Sequence, residues 1–206
     1  MQLVVTEKPS VAQAISHVIG AKERKDGYME GNGFLVSWCV GHLVELAQPE
    51  MYSEAWKKWS YESLPMIPEQ WQHEVKKETA TQYKILKNLM HDTRVESVVC
   101  ATDAGREGEL IFRLVYEQAG CRKPVKRLWI SSMEDQAISD VFFHLKNGRE
   151  YDDLYRAALC RERADWIVGM NATRLFLTDT NRRRTAVKPM AVFLFRQVFK
   201  KSLSCE

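Results

Sequence analysis

No run of apolar residues in this chain approaches the roughly 18 positions that a membrane-spanning helix requires, and no basic segment precedes an apolar core at the N-terminus as it would in a secretion signal. Those two absences make the cytoplasm the default compartment. Cysteine is sparse: Cys39, Cys100, Cys121, Cys160 and Cys205 are odd in number, widely spaced and never arranged as CxxC. That pattern argues against a disulfide framework and against a zinc site, and the thiols are expected to be reduced and mostly structural. No GxGxxG follows the first strand-like segment and no GxxxxGK[ST] occurs, which disfavours a nicotinamide-dependent enzyme and a P-loop nucleotidase. Internal repeats and low-complexity tracts are also missing.

What is present is ordinary in bulk and uneven in detail. A chain of 206 residues, 45% hydrophobic and 28% charged, has enough apolar material for one large domain, or for one domain plus part of another. The net charge of +3 conceals an asymmetry, because residues 156–206 carry 11 Lys and Arg against 4 Asp and Glu. The segment before them is therefore net acidic. An acidic front and a basic back suggest a metal-binding part joined to a phosphate-binding part, with a merely solvated basic surface as the other reading.

Leu3-Val4-Val5-Thr6 is a short β-branched run, and Pro9 follows where a first helical turn would begin, with Val11, Ala12, Ala14, Ile15, Val18 and Ile19 at helical spacing. Glu7 is thus expected at the carboxyl end of a first strand. Gly31-Asn32-Gly33 separates Tyr28-Met29-Glu30 from the apolar run Phe34 to Val40, which predicts a hairpin ending near Gly41-His42. From Pro49 to Trp71, with Tyr52, Trp56, Trp59 and Tyr61, the chain reads as an irregular excursion. Glu78 to His91 reads as a helix with Tyr83, Leu86, Leu89 and Met90 on its apolar side. Ser97 to Ala101 is a continuous strand-length apolar run, bounded by Thr102-Asp103.

Leu110 to Ala119 is amphipathic with Gly120 as C-cap, Val125 to Ile130 reads as a strand, and Glu134 to Lys146 as a helix stopped at Asn147-Gly148. Alternating strands and helices predict an α/β fold, a mainly parallel sheet covered by helices on both faces. Beyond Gly148 the pattern is helical from Tyr151 to Phe176, without strand signal. A boundary is therefore expected there, with one domain over 1–148 and a helical segment over 149–206.

In open parallel sheets, ligands collect at the carboxyl ends of the strands. Glu7 and Asp103 stand at two such ends, and Glu107 lies four residues past Asp103 at the start of a helix. Gly105 between them is expected to turn the backbone so that both acids face one spot. Three carboxylates held together repel one another unless a divalent cation neutralises them, and hard oxygen ligands suit magnesium. The competing reading is that Asp103 and Glu107 only cap a helix.

Four ordered segments carry a more specific signal: Glu7-Lys8-Pro9-Ser10; Val40-Gly41-His42-Leu43-Val44-Glu45-Leu46; Thr102-Asp103-Ala104-Gly105-Arg106-Glu107-Gly108-Glu109-Leu110-Ile111; and the run from Arg161 to Phe176. From Met1 to about Leu177 the sequence resembles the Toprim domain of type IA DNA topoisomerases on the topoisomerase III branch, followed by the start of the helical DNA-gate domain. The resemblance implies that Glu7 binds metal and acts as general acid or base at the scissile phosphodiester. It implies that Asp103 and Glu107 are the first and last acids of an Asp-x-Asp-x-Glu motif whose middle position is Gly105 here. One Mg2+ rather than two is then expected, with Glu109 as an outer helper. Lys8 matches a basic residue near the cleaved phosphate.

The same resemblance puts the helix carrying Arg161 and Asp165 beside the DNA channel. These two stand one turn apart and can pair, orienting the arginine on a phosphate, although a surface ion pair of little consequence has the same spacing. Arg174 is a weaker phosphate-contact candidate. The implied partner is DNA, single-stranded in preference, with no membrane and no small-molecule cofactor. His42 could lie near the site or be a satisfied structural histidine. Trp59 and Tyr61 could stack on bases, but packing in the core is the expectation.

In the resembling family the nucleophilic tyrosine sits in a later domain. None of Tyr28, Tyr52, Tyr61, Tyr83, Tyr116, Tyr151 or Tyr155 lies in its motif. After Leu177 the sequence departs from the family pattern into Thr178-Asp179-Thr180-Asn181-Arg182-Arg183-Arg184, which suggests a truncation with a changed reading frame. The stretch Phe193 to Phe199 could form a short amphipathic helix, with nonspecific DNA contact from its basic run. The sequence therefore predicts the N-terminal part of a topoisomerase that does not break DNA by itself. A Toprim-type metal-dependent nuclease and a noncatalytic DNA-binding fragment are the alternatives.

Overall fold

In the computed structural model, residues 1–130, 134–142 and 144–179 are described, with side chains as far as Leu175. The chain opens with β1 (Gln2–Thr6), whose last four residues are all buried, and α1 (Pro9–Ile19), where Pro9 occupies the first turn and Gly20 closes the end in a left-handed conformation. Next come β2 (Glu23–Lys25), β3 (Tyr28–Gly31) and β4 (Phe34–Trp38). Asn32 and Gly33, with φ of 49° and 81°, form the turn of the β3–β4 hairpin, the positive-φ pair that a two-residue hairpin turn requires.

The chain then runs through β5 (Val44–Leu46), the single-turn α2 (Pro49–Tyr52) and β6 (His73–Val75), before α3 (Ala80–His91) buries the four expected residues, Tyr83, Leu86, Leu89 and Met90. Then follow β7 (Ser97–Ala101), α4 (Arg106–Gln118), β8 (Val125–Arg127), α5 (Asp135–Phe142), β9 (Lys146–Asn147) and α6 (Asp152–Asp179). The expected helix at 193–199 lies outside the described residues.

The main sheet has seven strands in the order β2-β3-β4-β1-β7-β8-β9. Its four central strands are parallel, and antiparallel strands extend it at both sides. The fold is thus α/β with a mainly parallel centre, as the alternation of strands and helices predicted. Val4, Val36 and Val99 share one face by register and pack with Ala12, Ile15, Leu128 and Ile138, so that α1 and α5 cover that side. Burial of each of these valines, leucines and isoleucines contributes about 1.5–3 kcal/mol. Leu3, Leu35 and Val98 are buried on the other face, where α3 packs on β4 and α4.

Two segments differ from their sequence reading. The strand expected over 125–130 is paired only as far as Arg127, and Lys146-Asn147, expected at a helix end, instead pairs with β8 as β9. Asn147 then caps the following 3-10 turn, with Glu150 completing the capping box.

The described residues divide into two compact units. One comprises Met1–Glu45 and His73–Ala158, and the other comprises Leu46–Gln72 together with the chain from Leu159 onward. The excursion therefore groups with the later helix rather than with its sequence neighbours. In the second unit Leu46, Trp166 and Ile167 form a small core with Tyr52, Trp56 and Trp71, and Asn171 hydrogen-bonds both backbone groups of Met66.

Cys39, Cys100 and Cys121 are buried thiols. Burial pushes the Cys100 pKa up to about 11 and raises that of Cys39 further, which keeps both protonated and unreactive. No described helix is long and apolar enough to cross a membrane.

The largest fully buried side chain is that of Arg127 on β8. Its Nη1 donates to the carbonyls of Cys100, Thr102 and Leu128 at 3.0, 2.9 and 3.0 Å, and its Nη2 donates to that of Asp103 at 2.8 Å. Nε lies 3.1 Å from Glu109 Oε2, an ion-pair contact without hydrogen-bond alignment. Trp129 and Tyr151, stacked at 4.9 Å, lie 5.0 and 5.9 Å from the guanidinium.

Replacing Arg127 with Met removes one of the two arginines that hold Glu109, leaving Arg113, and takes this donor from the Thr102, Asp103 and Leu128 carbonyls. The expected loss is about 3–5 kcal/mol, read as a shift of the urea midpoint, and a loss below about 1 kcal/mol contradicts this account.

Candidate metal centre

The acids are set by strand ends. β1 and β7 run parallel in register Thr6↔Ala101, so Glu7 and the Thr102-Asp103 pair leave the same edge of the sheet side by side. The Glu7 side chain is 14% exposed, and its carbonyl accepts from the Gly41 amide at 3.5 Å. Asp103 is held through its backbone by Arg127, leaving its carboxylate half-exposed.

Lys8 links the two acids. Its Nζ lies 3.3 Å from Asp103 Oδ2 and 3.7 Å from Glu7 Oε1. The hydrogen bond to Asp103, reinforced by the charges of Asp103 and then Glu7, raises the Lys8 pKa above its ordinary value, so the ammonium stays charged throughout the neutral range.

Glu107 lies in the first turn of α4, where its Oε2 is 3.3 Å from His42 Nε2. His42 is thus a neighbour of the acids. Among the described residues no three His, Cys, Asp or Glu side chains converge closely enough to hold one ion. Lys8 stands between Glu7 and Asp103, and Glu107 faces the histidine. The donor types and their placement on one sheet edge still fit a hard divalent cation, since each carboxylate is within reach of a cationic or protonatable partner that such an ion would replace.

Two glycines in the loop play opposite parts. Gly105 has φ 171°, extended backbone open to any residue, and a Cβ built there meets nothing within 4 Å. The backbone does bend over Ala104-Gly105, but in a conformation that does not require glycine. Gly108 is the constrained one: a Cβ there would stand 2.1 Å from the Asp103 carbonyl oxygen. Thr102 Oγ1 donates to the Gly108 carbonyl at 2.7 Å and completes the clamp between loop and helix.

Glu109, expected as an outer helper to a metal, is 1% exposed and lies between Arg113 and Arg127. Arg113 also reaches Asp152 at 2.8 Å and the Gly148 carbonyl at 2.7 Å. Burial alone would lower the Arg113 pKa, but Glu109 and then Asp152 outweigh it and the net shift is upward. Glu109 is therefore part of a buried ionic network that fixes the loop. Sequence reading missed Arg127 and Arg113. The available signal was a lone arginine inside the strand-like run Val125 to Ile130.

In the second unit, Arg161 Nε and Asp165 Oδ2 are 3.5 Å apart on the exposed side of α6, the pairing their spacing predicted. Arg174 is 4% exposed, with its guanidinium 5.4 Å from the Trp59 ring centre, and burial lowers its pKa. That placement gives it a packing contact in addition to any phosphate contact. Trp59 and Tyr61 were expected in the core. They are instead 54% and 36% exposed, because Trp166, Trp71 and Tyr52 fill the interior of this unit.

Comparison with known proteins matches the Toprim domain over residues 2–133. DNA topoisomerase 3 of Shouchella clausii is 49% identical over 178 residues, covering 86% of this chain and 24% of that protein. The enzyme of the same name from Staphylococcus epidermidis is 48% identical over 176 residues, covering 85% of this chain and 25% of its own length. The chain thus spans about a quarter of the length of these relatives. Among solved structures, full-length topoisomerase I from Thermotoga maritima superposes with a TM-score of 0.54 at 21% identity, covering 81% of this chain and 24% of that one. At that identity the match speaks to the fold.

The loop geometry predicts a contrast. Gly105→Asp should leave the thermal midpoint unchanged and tighten divalent-cation binding measured by calorimetry, because it adds a carboxylate in open space beside Asp103. Gly108→Ala should cost about 1–3 kcal/mol through overpacking. Equal stability losses in the two variants contradict the assigned roles.

Proposed function

The chain belongs to the Toprim-domain family, and from that premise we propose that it is the N-terminal, metal-binding part of a type IA DNA topoisomerase of the topoisomerase III branch, acting on DNA in the cytoplasm by transient single-strand cleavage. The observation that carries this reading is the placement of Glu7, Lys8 and Asp103 on one carboxyl edge of a parallel sheet, with Lys8 in contact with both acids. Residues 1–148 form the Toprim domain in this reading, and the chain from 149 begins the helical DNA-gate domain.

Glu7, Asp103 and Glu107 would hold Mg2+. When bound, the ion supplies positive charge beside a scissile phosphate. The rest is done by the chain's own residues. Lys8, kept charged by its two acids, offsets negative charge developing on the phosphate oxygens. In this reading Glu7 is the general acid or base at the leaving oxygen. Arg161, oriented by Asp165, contacts a backbone phosphate of single-stranded DNA, and the exposed Trp59 and Tyr61 rings offer faces for bases. Arg174 supports Trp59 from below.

The nucleophile is not among the seven tyrosines. The Tyr116 hydroxyl donates to the Lys123 carbonyl and that of Tyr155 to Glu117. Burial raises the pKa values of Tyr83 and Tyr116, the reverse of what a phenolate nucleophile needs.

Three measurements on the 206-residue chain test the reading. Calorimetry should show Mg2+ binding that weakens at least about tenfold in Asp103→Asn, given that even outer-shell changes cost 10–100-fold at metal sites. Supercoiled plasmid should not be relaxed by the chain alone. Magnesium-dependent nicking that disappears in Glu7→Ala would instead indicate a nuclease using water. No Mg2+ binding at millimolar concentration with the fold intact would indicate a noncatalytic DNA-binding fragment.

A further inference from the structure

Away from the acids, the outer side of the main sheet carries a cleft of about 650 Å³ lined by Arg122, Lys126, Lys146 and Arg149, together with Arg113 and Lys123. No acidic side chain lines it. Arg113 is neutralised by Glu109 and Asp152, and the Lys123 ammonium donates to the Asp92 carbonyl. The other four cations differ. Among the described residues Arg122, Lys126, Lys146 and Arg149 make no ion pair, as is also true of Lys22, Arg24, Lys84 and Lys87, but the first four line one cleft.

The backbone gathers these charges. Antiparallel pairing sets Lys126 opposite Asn147 and Lys146 opposite Arg127, and Gly148 approaches Val125 so closely that a Cβ would meet its Cγ1 at 2.8 Å. Lys146 and Arg149 are thereby drawn against the strand that carries Lys126. Like charges held together repel unless an anion offsets them. The cleft begins at Arg122 to Lys126, the amino end of β8, while Glu7 and Asp103 leave the carboxyl ends of parallel neighbours. The two features therefore occupy opposite edges of the sheet.

We infer that this cleft is a second nucleic-acid contact, a seat for the phosphodiester backbone of a DNA segment other than the one at the acids. The inference rests on the DNA-handling function proposed above and extends it. An acidic protein fits less well, because protein interfaces are anchored by buried apolar or aromatic side chains. The large exposed hydrophobic residues, Val40, Met51, Trp59, Tyr61 and Val168, all lie outside the cleft lining.

The test uses the full 206-residue chain, labelled 30-nucleotide single strands and 30-base-pair duplexes, and fluorescence anisotropy across a salt series. Each phosphate contact contributes roughly 0.7–0.9 to the slope of log affinity against log salt. The quadruple variant Arg122→Gln, Lys126→Gln, Lys146→Gln, Arg149→Gln should lose about 3 from that slope and at least about tenfold in affinity at moderate salt. Mg2+ affinity should stay unchanged. Exchanging each Lys for Arg and each Arg for Lys should restore the slope.

A folded quadruple variant with the parent slope and affinity overturns the inference while leaving the metal site standing. Failure of the parent chain to bind any DNA at low salt overturns both. Saturable one-to-one binding of inorganic pyrophosphate at micromolar concentration, with DNA affinity untouched by the variant, also overturns it and identifies a small-anion site. Binding of poly-glutamate as tight as that of DNA does so as well.

Discussion

One buried guanidinium fixes the geometry on which the acids depend. Arg127 reaches across from β8 and binds the carbonyls of Cys100, Thr102 and Asp103, the three residues over which β7 gives way to the loop before α4. The Cys100 carbonyl also accepts from the Leu128 amide at 2.9 Å, whereas those of Thr102 and Asp103 lie past the paired part of β7. A buried carbonyl left without a donor costs about 1–3 kcal/mol. The arginine is in turn balanced by Glu109 on the helix that follows the loop, so strand, loop and helix are tied through one charge. Glu109 shares itself with Arg113, and Arg113 with Asp152. Two cations and two anions thus form a network that is close to neutral overall, which is how a fully buried arginine is tolerated.

That constraint separates fixing from function along the motif. Thr102, Gly108 and Glu109 hold the loop to the helix and are buried, whereas Asp103 and Glu107 keep their carboxylates toward solvent. Acids of the same chemical type, within seven residues of each other, therefore do opposite work. Lys8, just past β1, brings one positive charge against both Glu7 and Asp103.

Much of this was legible in the residues. The β-branched runs Leu3 to Val5 and Ser97 to Ala101 became central parallel strands, since both faces are covered and nothing polar interrupts them. The Asn32-Gly33 turn and the buried face of α3 followed from turn chemistry and helical period. Four spaced motifs were enough for the family. What escaped was decided by tertiary contacts. Strand β2, Glu23-Arg24-Lys25, is exposed at every position and so shows no alternation to read. Arg127 looked like the polar member of a strand, and only the carbonyls it meets explain its burial. Gly105 drew attention as the break in the acidic pattern, while the steric requirement lies at Gly108, where helix and loop touch. Trp59 was expected inside because large rings usually are, but other aromatics already fill that core.

The central claim is that the sheet edge bearing Glu7, Asp103 and Glu107 takes up a divalent cation. The direct measurement is paramagnetic broadening of backbone amide signals by substoichiometric Mn2+. The account predicts that signals from residues 6–8, 41–43 and 102–107 disappear first, with those around the Arg122 and Arg149 cleft unaffected. Broadening centred elsewhere, or unchanged in a chain carrying Glu7→Gln, Asp103→Asn and Glu107→Gln together, would contradict it.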